Sequence, residues 1–515
     1  MQSVFIRSWS STVLRWSGAC AVAAAVLVPA AAHGQVKNWP SESPPLPLPA
    51  RDVTFPPYEI KSLPNGLKVV VVLHHEQPIV SLRLLVRAGS AADPHGREGL
   101  ASLLASLLDQ GTTKQSAREI ADQIDSIGGD LGAGASSDLS FASVVVMKDS
   151  FGAGLDLLSD VVRHPAFKVE EIERQRQQAL SGLQVNNQDP DYVASTVFDR
   201  LVYGFHPYGL PNSGTPKTLS SISPDDLHAF HEQYVVPNNA FLAIVGDVSA
   251  DDAFASAERV FGSWARRELP QQTIAEPPAP TRRVVVIDKP DAVQTEIRVG
   301  QLVLPRTHPD YLAMDLAIRI LGGEGSNRLY RVLRTERGLT YGAQAELSAL
   351  AQAGDFVADT DTRTETTGEA LRLIVDEISR LQRERVSERE LADAQAYLAG
   401  SFPLTIETPD AIAAQILNVL FYDLPLSDLQ TYRERVNAIT PDDIQRVART
   451  YLRPDRLSVV LVGNATGFAP QLKGLGFERY DLVALQDLDV TTADLRRPGV
   501  SPTATPAARP NGPQD

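Results

Sequence analysis

"SPDDLHAFHEQYVVPNNAFLAIVGD", Ser223 to Asp247, and "TPDDIQRVARTYLRPDRLSVVLVGN", Thr440 to Asn464, are two copies of one pattern. Pro224 falls on Pro441, Tyr234 on Tyr451, Pro237 on Pro454 and Gly246 on Gly463, each pair 217 residues apart. Both copies open as helix starts, with Ser223 or Thr440 as the cap and proline at the first helical position, where no N–H is needed. The preceding stretch repeats as well, with small slips. "GLDLLSDVV" from Gly154 parallels "ALRLIVDEI" from Ala370, and "ALSG" from Ala179 parallels "YLAG" from Tyr397. A repeat this long predicts two homologous domains, residues 58–267 and 282–482. The Pro-rich "ELPQQTIAEPPAPT", residues 268–281, reads as the linker between them.

Both domains mix secondary-structure types. "LKVVVVL" and "VSLRLLVRAGS" read as strands, with Leu82, Leu84 and Val86 on one face of the second. "SAREIADQIDSIGG" reads as a helix with a Ser116–Glu119 capping box, a buried stripe of Ile120, Ile124 and Ile127, and a stop at Gly128. Strand pairs alternating with helix pairs predict an α+β fold, helices packed on a mostly antiparallel sheet.

The flanks differ in composition. Residues 1–34 read as a secretory signal: Arg7 and Arg15, then the apolar run "ACAVAAAVLVPAAA", then small residues at Ala32 to Gly34. That run is shorter than the roughly 20 residues a membrane span needs. Residues 35–57 are Pro-rich and should lie extended, and residues 483–515 are expected to form a largely disordered tail. Cys20, the one cysteine, lies in the signal, so the mature chain has no thiol chemistry, no disulfide and no cysteine zinc site. With the signal removed, 46 basic residues face 63 acidic ones, which disfavours nucleic acid and anionic membrane as partners. An exported, periplasmic protein without a membrane span is the expectation.

"GREGLASLLASLLDQGT", from Gly96, has the turn entry and leucine rhythm of a packed helix. It resembles the signature helix of the insulinase/pitrilysin zinc metallopeptidases, the inverzincins, in their mitochondrial-processing-peptidase-like bacterial form. Active members carry H-x-x-E-H there: two histidines one helical turn apart hold zinc, and the glutamate beside them is the general base. Here the histidine positions fall on Ser102 and Ser106 and the base position on Ala105. The family's third ligand, a glutamate on a later helix, falls on Leu183, and no acid stands between Glu173 and Asp189. Serine is a neutral and weak zinc ligand, and alanine and leucine offer no donor. The resemblance therefore implies a domain that does not lower the pKa of an attacking water from about 15.7 to about 7 as bound zinc does. Serine catalysis finds no base on the same helix.

The second domain keeps a different motif. "GGEGSNRLYRVLRTERGLTYGAQAEL" resembles the family's substrate-handling segment, an arginine followed seven residues later by a tyrosine, here Arg334 and Tyr341. In the family this pair orients substrate and stabilises the developing oxyanion, work suited to two donors. The bland alternative makes Arg334 a helix-end surface charge and Tyr341 a strand core residue. "GGEG" at Gly322 lacks a following GK[ST] and reads as a turn, not a phosphate loop. "HAFHE" places His228 and His231 beside Glu232, but its repeat copy reads "QRVAR", so the helix exists for packing. His95, His164, His206 and His308 sit in expected loops with nothing pairing them, and His74 and His75 point to opposite faces of a strand end.

The resemblance implies two homologous halves, each a duplicated ferredoxin-like unit. It also implies pairing of two chains around a peptide chamber, one bearing H-x-x-E-H and zinc, the other keeping the arginine and tyrosine. This chain fits the second description: a non-catalytic, substrate-positioning subunit of an exported peptidase heterodimer, without a cofactor of its own. The alternative is a peptide-binding or scaffold protein that has left proteolysis altogether.

Overall fold

A computed structural model describes residues 53–270, 276–323 and 327–501. The signal, most of the Pro-rich segment, part of the linker and residues 502–515 lie outside the described residues.

The first half contains β1 (Tyr58–Ser62), β2 (Lys68–Leu73), β3 (Ile79–Val86), α1 (Leu100–Ala105), α2 (Ala117–Ser126), β4 (Asp130–Ala135) and β5 (Ser140–Met147). It continues with α3 (Phe151–Arg163), α4 (Val169–Asn186), α5 (Pro190–Tyr203), α6 (Pro216–Ser221), α7 (Pro224–Tyr234), β6 (Ala240–Gly246) and α8 (Ala250–Phe261). The strands form one six-stranded sheet, β1-β2-β6-β3-β5-β4, in which only β2 and β6 run parallel. The second half repeats the plan. It runs β7 (Arg283–Asp288), β8 (Gln294–Leu302), α9 (Tyr311–Gly322), a π-helical turn (Tyr330–Glu336), β9 (Ala343–Ala349) and β10 (Gly354–Arg363). Then come α10 (Thr367–Arg383), α11 (Glu388–Ser401), α12 (Pro409–Phe421), α13 (Asp428–Asn437), α14 (Pro441–Tyr451), β11 (Ser458–Gly463), α15 (Ala465–Phe468) and β12 (Asp481–Ala484). Its sheet reads β12-β7-β11-β8-β10-β9. The fold is thus α+β, in two homologous halves with one mixed sheet each.

Local chemistry accounts for the element ends. Ser116 accepts the Glu119 backbone N–H while Glu119 reaches back to Ser116, and Gly128 beyond the helix takes φ +62°. Ser223 with Asp226, and Thr440 with Asp443, close the same box on the repeated helices α7 and α14. Period two governs the strands: Val80, Leu82, Leu84 and Val86 face the helices of their own half, while Leu85 faces the other way.

The second face of each sheet is covered by a helix from the opposite half. Ile412, Ala413, Ile416 and Leu417 of α12 lie on Val70, Val72, Ala243 and Val245 of the first sheet. Reciprocally, Val193, Val197, Phe198 and Leu201 of α5 lie on Val285, Ile287, Val460 and Val462 of the second. Each fully buried Val, Leu, Ile or Phe contributes about 1.5–3 kcal/mol, so several such residues per contact make this clasp a major source of cohesion. Polar contacts follow the same seam. The Tyr203 hydroxyl donates to Asp355 at 2.6 Å, and Asp138 accepts from the Tyr208 hydroxyl and from the Ala351 backbone N–H.

Two expectations change. The leucine-rich helix ends at Ala105 and continues as turns rather than as helix to its Gly-Thr exit. Leu107 and Leu108 are buried all the same, so the leucine rhythm reports core contact beyond the helix. Residues 483–501, expected to belong to the tail, are packed on the second half. β12 pairs in parallel with β7, Val483, Val490 and Leu495 pack beneath α5, and Arg200 donates to the Val490 carbonyl at 2.9 Å. Those apolar residues are too widely spaced to show a period, and their partners are distant in the chain.

Candidate functional site

α1 is positioned at its N-terminus by Asp93. Its carboxylate accepts the backbone N–H groups of Gly99, Leu100 and Ala101 at 2.8, 3.1 and 2.9 Å. Gly99 precedes the helix at φ +97°, a conformation other residues adopt at a cost. Burial pushes the Asp93 carboxyl up to about 7, against the pull of those three hydrogen bonds.

The family's ligand positions meet here with their donors committed elsewhere. The Ser102 hydroxyl donates to the Asn212 carbonyl at 2.7 Å and the Ser106 hydroxyl to the Leu103 carbonyl at 2.8 Å. Ala105 is buried in the same helix, and Leu183 of α4 is buried within the same core. Two hydroxyls on backbone carbonyls, a methyl and an isobutyl group do not fit zinc, which takes imidazole, thiolate or carboxylate donors. A cleft of about 580 Å³ reaches this place, lined by Leu183, Tyr192 and Lys217 from the first half and by Lys289, Asp291 and Arg497 from the second.

Arg334 lies in the π-helical turn and Tyr341 just before β9. The guanidinium carbon stands 4.9 Å from the centre of the Tyr341 ring, and Arg334 also donates to the Thr340 carbonyl at 3.3 Å. Tyr341 is 82% exposed, so it is not a strand core residue. Among the described residues no carboxylate pairs with Arg334 and no hydrogen bond ties down the Tyr341 hydroxyl. The segment is anchored by its neighbours instead. Thr340 donates to the Gly342 carbonyl, and Gly322 lets the end of α9 approach β9 so closely that a Cβ would stand 2.2 Å from the Ala345 nitrogen. Gly322 is the last residue of α9 rather than part of a turn, and the turn begins at Gly323; residues 324–326 lie outside the described residues. No hydrogen bond or ion pair among the described residues joins Arg334 or Tyr341 to Ser102, Ser106 or Leu183.

His231 contacts the Val162 carbonyl at 2.7 Å, and both His228 and His231 meet Phe167 edge-on, so this helix face packs. Three loop histidines have partners the sequence did not reveal: His95 stands 3.4 Å from the Glu98 carboxylate, buried His206 accepts from the Tyr208 backbone and meets Gln352, and His308 accepts from the Asp310 backbone and meets Tyr451. The sequence also concealed a group of carboxylates beside the Arg334 segment: Asp191 of α5, Glu296 of β8, and Asp359 and Asp361 of β10. Its one local signal is the spacing of acids by two in "ADTDTR", which puts Asp359 and Asp361 on one sheet face.

Two clasped α+β halves, the first with Ser102, Ala105, Ser106 and Leu183 at the positions compared with the inverzincin motif, are the features to be placed in a class. Comparison with known proteins specifies the class. Residues 68–215 match the insulinase (peptidase family M16) profile and residues 221–398 match the peptidase M16 inactive domain. The crystal structure of a peptidase M16 inactive domain from Pseudomonas fluorescens superposes with a TM-score of 0.75 at 30% identity, covering 79% of this chain and 98% of that one. A protease from Helicobacter pylori has the same fold, with a TM-score of 0.75 at 23% identity over 79% of this chain and 99% of that one. An uncharacterised zinc protease of Mycobacterium leprae is 27% identical over 351 residues, 67% of this chain and 78% of its own length. The uncharacterised zinc protease YmxG of Bacillus subtilis is 23% identical over 383 residues, 74% of this chain and 92% of its own length. The chain belongs to the M16, or insulinase, peptidase family, and its inactive-domain match fits a non-catalytic peptidase-like subunit. Among the described residues no helix is long and apolar enough to cross a membrane.

Proposed function

We propose that this chain is the substrate-positioning subunit of an exported, periplasmic zinc metallopeptidase heterodimer acting on peptides or unfolded protein. Zinc and the general base belong to a homologous partner carrying H-x-x-E-H. The observation behind this reading is a contrast between the halves. In the first, the ligand positions are filled by side chains that bind backbone or pack. In the second, an arginine and a tyrosine stack in the open with donors that the described residues leave free. Apart from the Thr340 carbonyl and the Tyr341 ring, the exposed guanidinium has no partner among the described residues, and across a subunit interface it and the phenol can donate to a carbonyl oxygen as it gains charge.

The test is a pull-down of the tagged mature chain from its native extract, followed by a chelator-sensitive peptidase assay. A co-eluting H-x-x-E-H chain with activity supports the reading. In that complex Arg334→Ala should lower turnover by about a hundredfold, the scale of one lost oxyanion donor, while the two chains still co-elute. Unchanged cleavage by the variant complex would remove the role assigned to Arg334. An inactive eluate without such a chain would favour the scaffold alternative.

A further inference from the structure

Helices α9, α11, α12 and α13 of the second half enclose a cavity of about 500 Å³ that none of Ser102, Ser106, Leu183, Arg334 and Tyr341 lines. Tyr311, Tyr397, Phe402 and Tyr432 give it an aromatic wall, and Phe402 and Tyr432 stack with ring centres 5.2 Å apart. A break in the chain builds its mouth. α11 stops at Ser401, Pro403 has no N–H for a further helical turn, and the tight turn Phe402–Ile406 carries Leu404 to the rim. Leu404 is 67% exposed and Tyr397 46%, so two large apolar side chains meet water where the cavity opens.

Three arginines and two aspartates line the same space. Arg319 pairs with Asp315 at 3.2 Å, and Arg435 pairs with Asp428. Arg306 is the surplus charge. Its guanidinium carbon lies 4.0 Å from the centre of the Tyr311 ring, and among the described residues it pairs with no carboxylate and donates no hydrogen bond. A guanidinium stacked on a phenol still presents its N–H edge, in the fork geometry that matches a carboxylate. Gln415 and Asn418 of α12 line the cavity too, and no hydrogen bond among the described residues occupies their amides.

The first half supplies an internal control. "GLASLLASLLDQG", from Gly99, aligns with "YLAMDLAIRILGG", from Tyr311. Leu100, Ala101, Leu104, Ala105 and Gly111 fall on identical residues, which sets Leu103 against Asp315 and Leu107 against Arg319. Both leucines are buried in the first core. In the repeat of α4 and α11, Ala179 falls on Tyr397, and Ala179 packs against that same core. The first half thus fills with leucine and alanine the places where the second sets charges and an open ring around a cavity. Folding of this helix layer requires neither.

We propose that this cavity binds a small aromatic carboxylate, its carboxylate on Arg306 and its ring among Tyr397, Phe402 and Leu404. The volume suits such a ligand, since small-molecule sites run from about 300 to 1,000 Å³ and join apolar walls to a few polar groups. Aromatic walls favour a flat ring through edge and offset contacts. A carboxylate takes two parallel hydrogen bonds from one guanidinium, which fixes its orientation as well as its charge. Two sources present this chemistry: a free aromatic acid, and the last residue of a peptide ending in an aromatic side chain. The site goes beyond the subunit reading and does not rest on it, because binding here requires neither zinc nor a partner chain.

The experiment is isothermal titration calorimetry of the mature chain with indole-3-propionate and with its neutral primary amide. The acid should bind about tenfold more tightly, the scale of one hydrogen bond to a charged group, and Arg306→Gln should abolish that preference. Leu404→Asp, at an open position, should weaken the acid about fivefold through lost apolar contact and a like charge at the mouth. Equal affinities for acid and amide, or no binding of either, overturn the site. A preference that survives in folded Arg306→Gln, or acid binding untouched by Leu404→Asp, removes it from this cavity. The second variant decides the matter if the first folds poorly. The dipeptide Gly-Trp and its amide then separate the sources. An Arg306-dependent preference for Gly-Trp over its amide supports a peptide terminus, and binding of indole-3-propionate alone supports a free acid. None of these outcomes touches the co-purification assay that tests the subunit reading.

Discussion

Leu183 stands where active relatives are expected to hold a glutamate, and its surroundings suit a leucine. It is 3% exposed within the core beneath the first sheet. Leu183→Glu should therefore lower stability by roughly 2–4 kcal/mol, the cost of burying a carboxylate among apolar neighbours without a partner. Urea midpoints of variant and wild type would check this, and unchanged midpoints would mean that the site still accommodates a ligand. Tyr341 is the opposite case. Because its ring is open to solvent, Tyr341→Ala should move the melting midpoint by an amount equivalent to no more than about 0.5 kcal/mol, while lowering turnover of the reconstituted peptidase at least tenfold. A large loss of stability would return Tyr341 to a packing role. The nearness of Ser102, Ala105 and Ser106 was legible in the sequence because their spacing is a local pattern of one helical turn. The group of carboxylates around Asp191 was not, since Arg298 and Asp191 lie 107 residues apart and meet only when α5 crosses to the other sheet.

At the scale of elements, sequence reading succeeds where the cause is local. The capping boxes of α2, α7 and α14 and the alternation of β3 are all visible in a few residues. It falls short where one element must choose among distant surfaces, and α5 is the case in point. "PDYVASTVFDRLVY" shows an apolar helix but not which sheet receives it. Phe198 is 2% exposed between that helix and the second sheet, so Phe198→Ala should cost about 3–5 kcal/mol, measurable by urea denaturation. The same contact is sensitive to acid and base through Asp355. Burial pushes its carboxyl up to about 7 despite the Tyr203 hydrogen bond, and raises neighbouring Asp199 as well. A raised carboxyl favours the protonated folded form. Its contribution is therefore fully present below about pH 4, the unfolded value, and is lost as pH rises through about 7. Asp355→Asn, which keeps an acceptor for Tyr203, should gain stability relative to wild type as pH is raised across that window. A difference between the two proteins that stays constant from pH 4 to pH 8 would contradict this.

For the whole molecule the decisive feature is the exchange of α5 and α12. Each half alone would expose the sheet face that the other half's helix covers, Val70, Val72, Ala243 and Val245 in one case and Val285, Ile287, Val460 and Val462 in the other. The full chain should therefore unfold in one calorimetric transition, with calorimetric and van't Hoff enthalpies in agreement. Residues 53–270 and 276–501 should each be insoluble or aggregated when expressed alone. Two separate transitions, or a well-folded isolated half, would show that the clasp is dispensable.

The clasp also changes what the linker means. Because each half grips the other through a helix of its own, the covalent connection between residues 268 and 281 does little to hold them together. A polypeptide severed there should travel as a single particle through a sizing column and separate only in denaturant. A gene split at this point could then yield two short products that find one another after translation. Continuity of the reading frame supplies the halves in equal number and at high local concentration, and the exchanged helices do the joining.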